Sequence, residues 1–192
     1  MGAPAADAPW RRVDGPLDAP PEASDAAEAA ALQRLVRTFG DASLTWSDLS
    51  WLRERTDLPV LVKGVLHPED ARLAADHADG VVVSNHGGRQ VDGAVAALEA
   101  LPGIVDAVPE SFTVCFDSGI RGGSDAAIAL ALGADAVGVG RPFAYGLALG
   151  GEAGVAHVLE NLLADLDVTL QLSGIGSVGA LSRDALVDRR AL

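Results

Sequence analysis

The sequence predicts an α/β protein built around a parallel sheet. Three observations carry that prediction: four short apolar runs, a helix-like segment after each run, and a cluster of glycine or polar residues wherever a run ends. The runs fall at residues 59–65, 80–84, 112–116 and 134–140. They are nearly continuous rather than alternating, the pattern of strands covered on both faces. The helical segments follow at 68–78, 94–108, 124–132 and 151–172, and the spacing leaves room for right-handed strand–helix–strand crossovers. An open doubly wound sheet and part of a (β/α)8 barrel both fit this rhythm.

The elements before the repeat are simpler. Residues 1–22 form an Ala- and Pro-rich stretch broken by Pro4, Pro9, Pro16, Pro20 and Pro21, which predicts a flexible arm ahead of a domain over 23–192. A helix is predicted over 24–37, with Leu32, Leu35, Val36 and Phe39 near one face. A second begins after Thr45, a good cap, and runs over 46–55 with Trp46 and Trp51 as packing residues. In the last helix Val155, Val158, Leu159, Leu162, Leu163 and Leu166 share a face, and Gly174 is the expected stop.

Composition narrows the function classes. With 192 residues, 49% of them hydrophobic, the chain can bury one substantial core. Its 27 acidic residues against 14 basic ones give a net charge of -13, a field that repels nucleic acid and anionic membrane surfaces. The single cysteine, Cys115, has no partner for an internal disulfide. No apolar run approaches a membrane span and no signal-like segment follows Arg11 and Arg12, so a cytoplasmic protein is expected. Spacings typical of metal sites, the GxSxG nucleophile turn and the GxGxxG nicotinamide fingerprint are absent.

The candidate site residues sit at the ends of the runs, where a barrel gathers its chemistry. Lys63 ends the first; an ammonium beside a buried strand calls either for a bound anion or for an acidic neighbour at the rim. The second run leads into Ser84-Asn85-His86-Gly87-Gly88-Arg89. Histidine can accept a proton near neutral pH, and arginine can hold a carboxylate through two parallel hydrogen bonds. The structural alternative is a histidine bonded to loop carbonyls and an arginine paired with Asp92. The third end carries Asp117, Ser118, Gly119, Ile120 and Arg121, then Gly122, Gly123 and Ser124, the last an expected helix cap. The fourth carries Gly138, Gly140 and Arg141. Two successive glycine–arginine loops suggest the phosphate of a cofactor, since barrels often bind phosphate after their last two strands.

The stretches LPVLVKGVLHPEDA, GVVVSNHGGRQVDG, DSGIRGGSDAAIALALGADAVGVGRP and GEAGV resemble the carboxyl-terminal half of the FMN-dependent α-hydroxy acid oxidising enzymes. The wording is most similar to the lactate 2-monooxygenase branch. The resemblance implies a (β/α)8 barrel of which only strands five to eight are present. It implies FMN as cofactor, a small 2-hydroxy acid such as lactate as substrate, and oxygen as the expected acceptor. By position, His86 matches the catalytic base and Arg89 the clamp on the substrate carboxylate. Lys63 and Ser84 match flavin contacts, and Asp117, Ser118, Gly119, Ile120, Arg121, Gly140 and Arg141 match the segments that hold the ribityl chain and phosphate.

Some parts of the pattern are missing. The carboxylate that orients the histidine and the tyrosines that help hold substrate belong to the earlier strands, and the single tyrosine here, Tyr145, lies past the last one. The linker ADHADG is a residue shorter than the family wording. A half barrel has two open edges, so self-association or a complementary half-barrel chain is expected. Two other readings remain: a phosphate-binding barrel isomerase or synthase without flavin chemistry, and a non-catalytic truncated remnant or subunit.

Overall fold

The computed structural model describes residues 25–39 and 43–188. The expected arm over residues 1–22 lies outside them. Two units separate at Leu44. In the first, α1 spans Asp25–Phe39, and Leu32 on it is exposed; the side chains of Leu35, Val36 and Phe39 lie outside the described residues.

The second unit opens with a 3-10 turn, Trp46–Asp48, running into α2 (Leu49–Arg53). Thr45 caps it: its backbone N–H donates to Asp48 Oδ2 at 2.6 Å and its hydroxyl to the same oxygen at 2.8 Å. Trp46 packs against the core, as expected, but Trp51 is exposed, with the Arg55 guanidinium 4.1 Å above its ring. The two indoles fall on different faces, because five residues carry a side chain well past a full turn.

Four parallel strands follow in the order β1-β2-β3-β4: Leu61–Val65, Gly80–Val83, Thr113–Phe116 and Ala136–Val137. Between them lie α3 (Pro68–Ala75), α4 (Ala97–Val105) and α5 (Gly123–Ala131), and α6 (Arg141–Leu172) ends the set. Val81, Val83, Val114 and Phe116 point to the helices and are buried, together with Leu101 and Ile104 of α4. The pairing Lys63↔Val82↔Cys115↔Ala136 puts the alternate residues on the other, concave face. This face has a row of Leu61, Gly80 and Thr113, then the row just named, and Ser84 and Asp117 above it. Rows of inward side chains drawn from neighbouring parallel strands are the layering of a barrel interior, here lined on one side.

Two aspartates that sequence reading passed over hold the strands in register. Asp79, just before β2, accepts the backbone N–H of Val60 at 2.8 Å and returns its own N–H to the Val60 carbonyl at 2.8 Å. Asp135, just before β4, grips Val114 in the same two ways, at 2.7 and 2.8 Å. Each fixes its strand to the preceding neighbour in the chain's strand order before the sheet ladder begins.

The helices differ from the expected spans at their ends. α4 is shorter than 94–108, and α3 stops at Ala75 rather than residue 78. β4 has only two residues: the chain is irregular from Gly138, Gly140 has left the extended region at φ -109° and ψ -89°, and the outer edge has no ladder partner among the described residues. The largest difference is α6, which starts at Arg141, ten residues before the expected start. It is two helical segments broken at Gly150 and Gly151, where φ is -147° and 57°. The segments fold against each other where Gly146 and Gly154 bring their backbones together; a Cβ on Gly146 would lie 2.5 Å from the Gly154 carbonyl oxygen.

Along the second segment Leu166 and Leu170 are buried and Leu162 partly so, while Leu159 and Leu163 are exposed. The apolar stripe is therefore narrower than the face predicted, following one i, i+4 row. Gly174 ends the helix as expected: at φ 71° its N–H bonds the Gln171 carbonyl and that of Ile175 the Leu170 carbonyl, with Ile175 packed on Leu170. No helix among the described residues is long and apolar enough to cross a membrane.

Candidate active site

The site is built from the loops that leave the four strands. Val83 ends β2 deep in the core, and the next residue, Ser84, is buried at 2% exposure. Its hydroxyl accepts from Lys63 Nζ at 2.8 Å and from the His86 backbone N–H at 3.1 Å. Lys63 reaches across from β1 and also forms an ion pair with Asp117 at the end of β3. Its acidic-neighbour reading is thus realised, with the lysine side chain about half exposed and lining the cleft.

The Asp117 carboxyl is held below its ordinary value near 3.8. Burial alone would raise it, but hydrogen bonds from Lys63, Ser84 and Ser118 and the lysine charge outweigh that. A carboxyl depressed by folding contributes stability that is present above its unfolded value and is lost as pH falls through the folded one. Asp117→Asn is therefore expected to melt below wild type at pH 7, with the gap closing below about pH 4. Melting curves at both pH values check this, and a gap that is equal at the two would refute it.

The loop after β2 turns sharply. His86 adopts φ 56°, followed by Gly87 at 67° and Gly88 at 70°, three successive left-handed residues. Asn85 pins the turn by accepting the Gly88 N–H on its side chain at 3.2 Å. Arg89 folds back over it: its Nε donates to the His86 carbonyl at 3.3 Å, and its terminal nitrogen lies 3.0 Å from His86 Nε2. An arginine has only donors to give, so this contact makes Nε2 the acceptor and puts the ring proton on Nδ1. Arg89 is spent on His86, not on Asp92 as the structural alternative had it.

At the third strand end Ser118 and Gly119 are also left-handed, at φ 86° and 98°. Ser124 does not cap the helix that follows; it lies inside α5. Two carboxylates take the free amides instead. Asp125 accepts from Arg121 and Gly122 at 2.9 and 3.1 Å, and Asp165 of α6 accepts from Gly123 and Ser124 at 2.5 and 3.4 Å. The start of α5 is thereby neutralised from within, which leaves the start of α6, at Gly140 and Arg141, as the helix end facing the cleft.

Lys63, His86, Arg89, Asp117, Ser118, Gly119, Ile120, Arg121, Gly140 and Arg141 all line one cleft of about 400 Å³. Ser84 supports it from beneath. Gly87, Gly138 and Pro142 line it too, and Val139, Phe143 and Ala144, which complete the wall, were missed; Pro142 one residue into a helix was the available signal for the segment that carries the last two. Open space lies above Gly119 and Gly140, where an added Cβ would meet nothing within 4 Å. The cleft therefore gathers the Lys63 ammonium, the guanidiniums of Arg89, Arg121 and Arg141 and a helix start around glycine backbone, with the Arg141 guanidinium beside Gly87, a donor set suited to a phosphorylated, hydroxyl-bearing group.

Comparison with known proteins places the chain in a family. Residues 5–188 match the model of the FMN-dependent dehydrogenase family. The chain is 48% identical over 157 residues to an L-lactate oxidase of Lysinibacillus sphaericus, covering 81% of this chain and 41% of that protein. An FMN-dependent alpha-hydroxy acid dehydrogenase of Schizosaccharomyces pombe is 54% identical over 151 residues, 77% of this chain and 37% of that one. Among solved structures, a mandelate oxidase variant with a monooxide FMN adduct superposes with a TM-score of 0.70 at 50% identity, covering 73% of this chain and 45% of its own. The chain spans about two fifths of the length of the curated relatives it matches. A parallel sheet with its chemistry at the strand ends, matched over nearly all its length by one family model, has a single reading: this chain belongs to the FMN-dependent dehydrogenases, proteins of the TIM-barrel class, and supplies part of that barrel.

Proposed function

We propose that this chain binds FMN and supplies the proton acceptor and the carboxylate clamp for oxidation of a small 2-hydroxy acid such as lactate, with oxygen as final electron acceptor. The observation that carries the reading is the meeting of His86, Arg89, Lys63, Arg121 and Arg141 around one cleft at the carboxyl ends of four parallel strands. Arg121 and Arg141 would hold the phosphate, Gly119 and Gly140 would let the ribityl chain lie against backbone, and Lys63 would face the ring edge where negative charge builds on reduction. When bound, FMN supplies a two-electron acceptor.

The chain's own part is acid–base chemistry and positioning. A substrate carboxylate draws the Arg89 guanidinium into a paired, two-bond contact. That removes the donor from His86 Nε2 and leaves its lone pair free for a proton of the substrate. Arg89 thus makes the base available only when a carboxylate is present. Conversion of the 2-hydroxy acid to a 2-oxo acid releases two electrons and two protons: one proton would rest on Nε2, and the electrons with the other proton would pass to bound FMN.

The concave face supports a further part of the proposal. β1 and β4 have no outer ladder partners among the described residues, and Val82, Cys115 and Ala136 of the inner row are at least partly exposed. The remaining barrel wall would come from a second copy or from a complementary half-barrel chain. The test is direct. The purified chain should take up added FMN and turn yellow, bleach with L-lactate under nitrogen, and recover its colour on admitting air. Light scattering on the yellow species reads its mass. A chain that stays colourless with FMN overturns the proposal, and one that turns yellow but never bleaches restricts it to binding.

A further inference from the structure

We infer that Ser118 is a positioning residue for His86, tying the loop after β3 to the turn that presents the base. The inference rests on the proposed role of His86 and extends it to a residue whose resemblance-based role was cofactor contact. Its hydroxyl accepts the backbone N–H of Asn85 at 3.2 Å and that of Gly87 at 3.3 Å, the two amides that flank His86, and donates to Asp117 Oδ1 at 3.0 Å. A serine hydroxyl has one proton to give and two lone pairs to receive, so all of its capacity is used inside the protein. What Ser118 offers a cofactor is backbone.

The hydroxyl of Ser84 holds the amide between those two, that of His86 itself. Three consecutive N–H groups, Asn85, His86 and Gly87, are therefore fixed by two serines on neighbouring strand ends. This is what a left-handed histidine requires: at φ 56° the turn is strained and persists only where the surroundings hold it. Ser118 meets the same cost at φ 86°, a conformation glycine would take without strain. The strain at Ser118 is accepted together with a side chain bonded to the His86 turn and to Asp117, with the Ser84 hydroxyl, itself the partner of the His86 amide, 3.4 Å away.

The test is Ser118→Gly, which relieves the backbone and removes only the hydroxymethyl group, with Ser118→Ala as the second variant. Both are measured as the full chain loaded with FMN. FMN affinity from absorbance titration should stay within about twofold, since the backbone is kept. The limiting rate of lactate-driven bleaching should fall about ten- to a hundredfold at an unchanged half-saturating lactate concentration, because a misplaced base lowers the rate and not binding. NMR of the imidazole side chains gives a reading that needs no turnover: the His86 ring resonances should move in Ser118→Gly while those of His157 stay in place. If wild type fails to bleach, the proposed oxidation fails, and the NMR comparison still decides the role of Ser118. Unmoved His86 resonances, or bleaching at the wild-type rate in Ser118→Gly, overturn the inference.

Discussion

Replacing His86 by asparagine is expected to slow hydroxy-acid-driven bleaching of the FMN-loaded chain by about a thousandfold while leaving flavin uptake intact. The size follows from what is removed. His86 lines the cleft, and its Nε2, the ring nitrogen that accepts from Arg89 at 3.0 Å, is the one with a lone pair to give. An amide cannot accept the proton, so the step falls back on water. Asparagine is the better substitution because it tolerates left-handed backbone, and at φ 56° an alanine would mix loss of the base with loss of the turn. Anaerobic stopped-flow at the flavin absorbance reads the rate, and a yellow variant that bleaches as fast as wild type would remove His86 from the mechanism.

Gly123→Ala is expected to be the most damaging single methyl group in the domain. A Cβ at Gly123 would be driven into the backbone of Asp165 and Leu166, so α5 and α6 would have to move apart. Backbone cannot rotate away as a side-chain tip can, and overpacking of this kind costs about 3 kcal/mol or more. In a domain of this size that lowers Tm by about 10 °C. The separation would also pull Asp165 from the amide of Gly123 and shift the loop bearing Arg121, so FMN affinity should fall with stability. Gly179→Ala is the control: open space surrounds its Cβ position, and its melting should match wild type. Equal melting of Gly123→Ala and wild type would show that the helices do not meet there.

How far the sequence could be read varied with the range of the interactions involved. The strand ends were legible because Lys63, Ser84 and Asp117 interrupt apolar runs within two residues of where their strands stop, and Arg141 closes the fourth run four residues past β4. His86 and Arg89 were legible as a pair because the loop that joins them is short. The first segment of α6 was not, since Gly146, Gly150 and Gly151 within it read as breakers, whereas Gly146 is there for contact with Gly154. The cap on α5 was misplaced for a related reason. Ser124 has the right chemistry next door, but the carboxylate of Asp165, 42 residues away, reaches the first amide of the helix. The strand clamps made by Asp79 and Asp135 were missed because a lone aspartate before a strand looks like any turn residue until its neighbour in space is known.

The sequence by itself determined that this protein is a parallel α/β fold with its polar residues at the carboxyl ends of the strands, because periodicity and strand ends are written locally. Only the tertiary structure decided which donors those residues spend on one another. Lys63 is held by Asp117, Arg89 rests on His86, and the hydroxyls of Ser84 and Ser118 divide three successive amides between them. The Lys63 and Ser118 pairings join residues from different strand ends, and even within the His86 loop hydrogen bonding depends on tenths of an ångström that no spacing along the chain can fix.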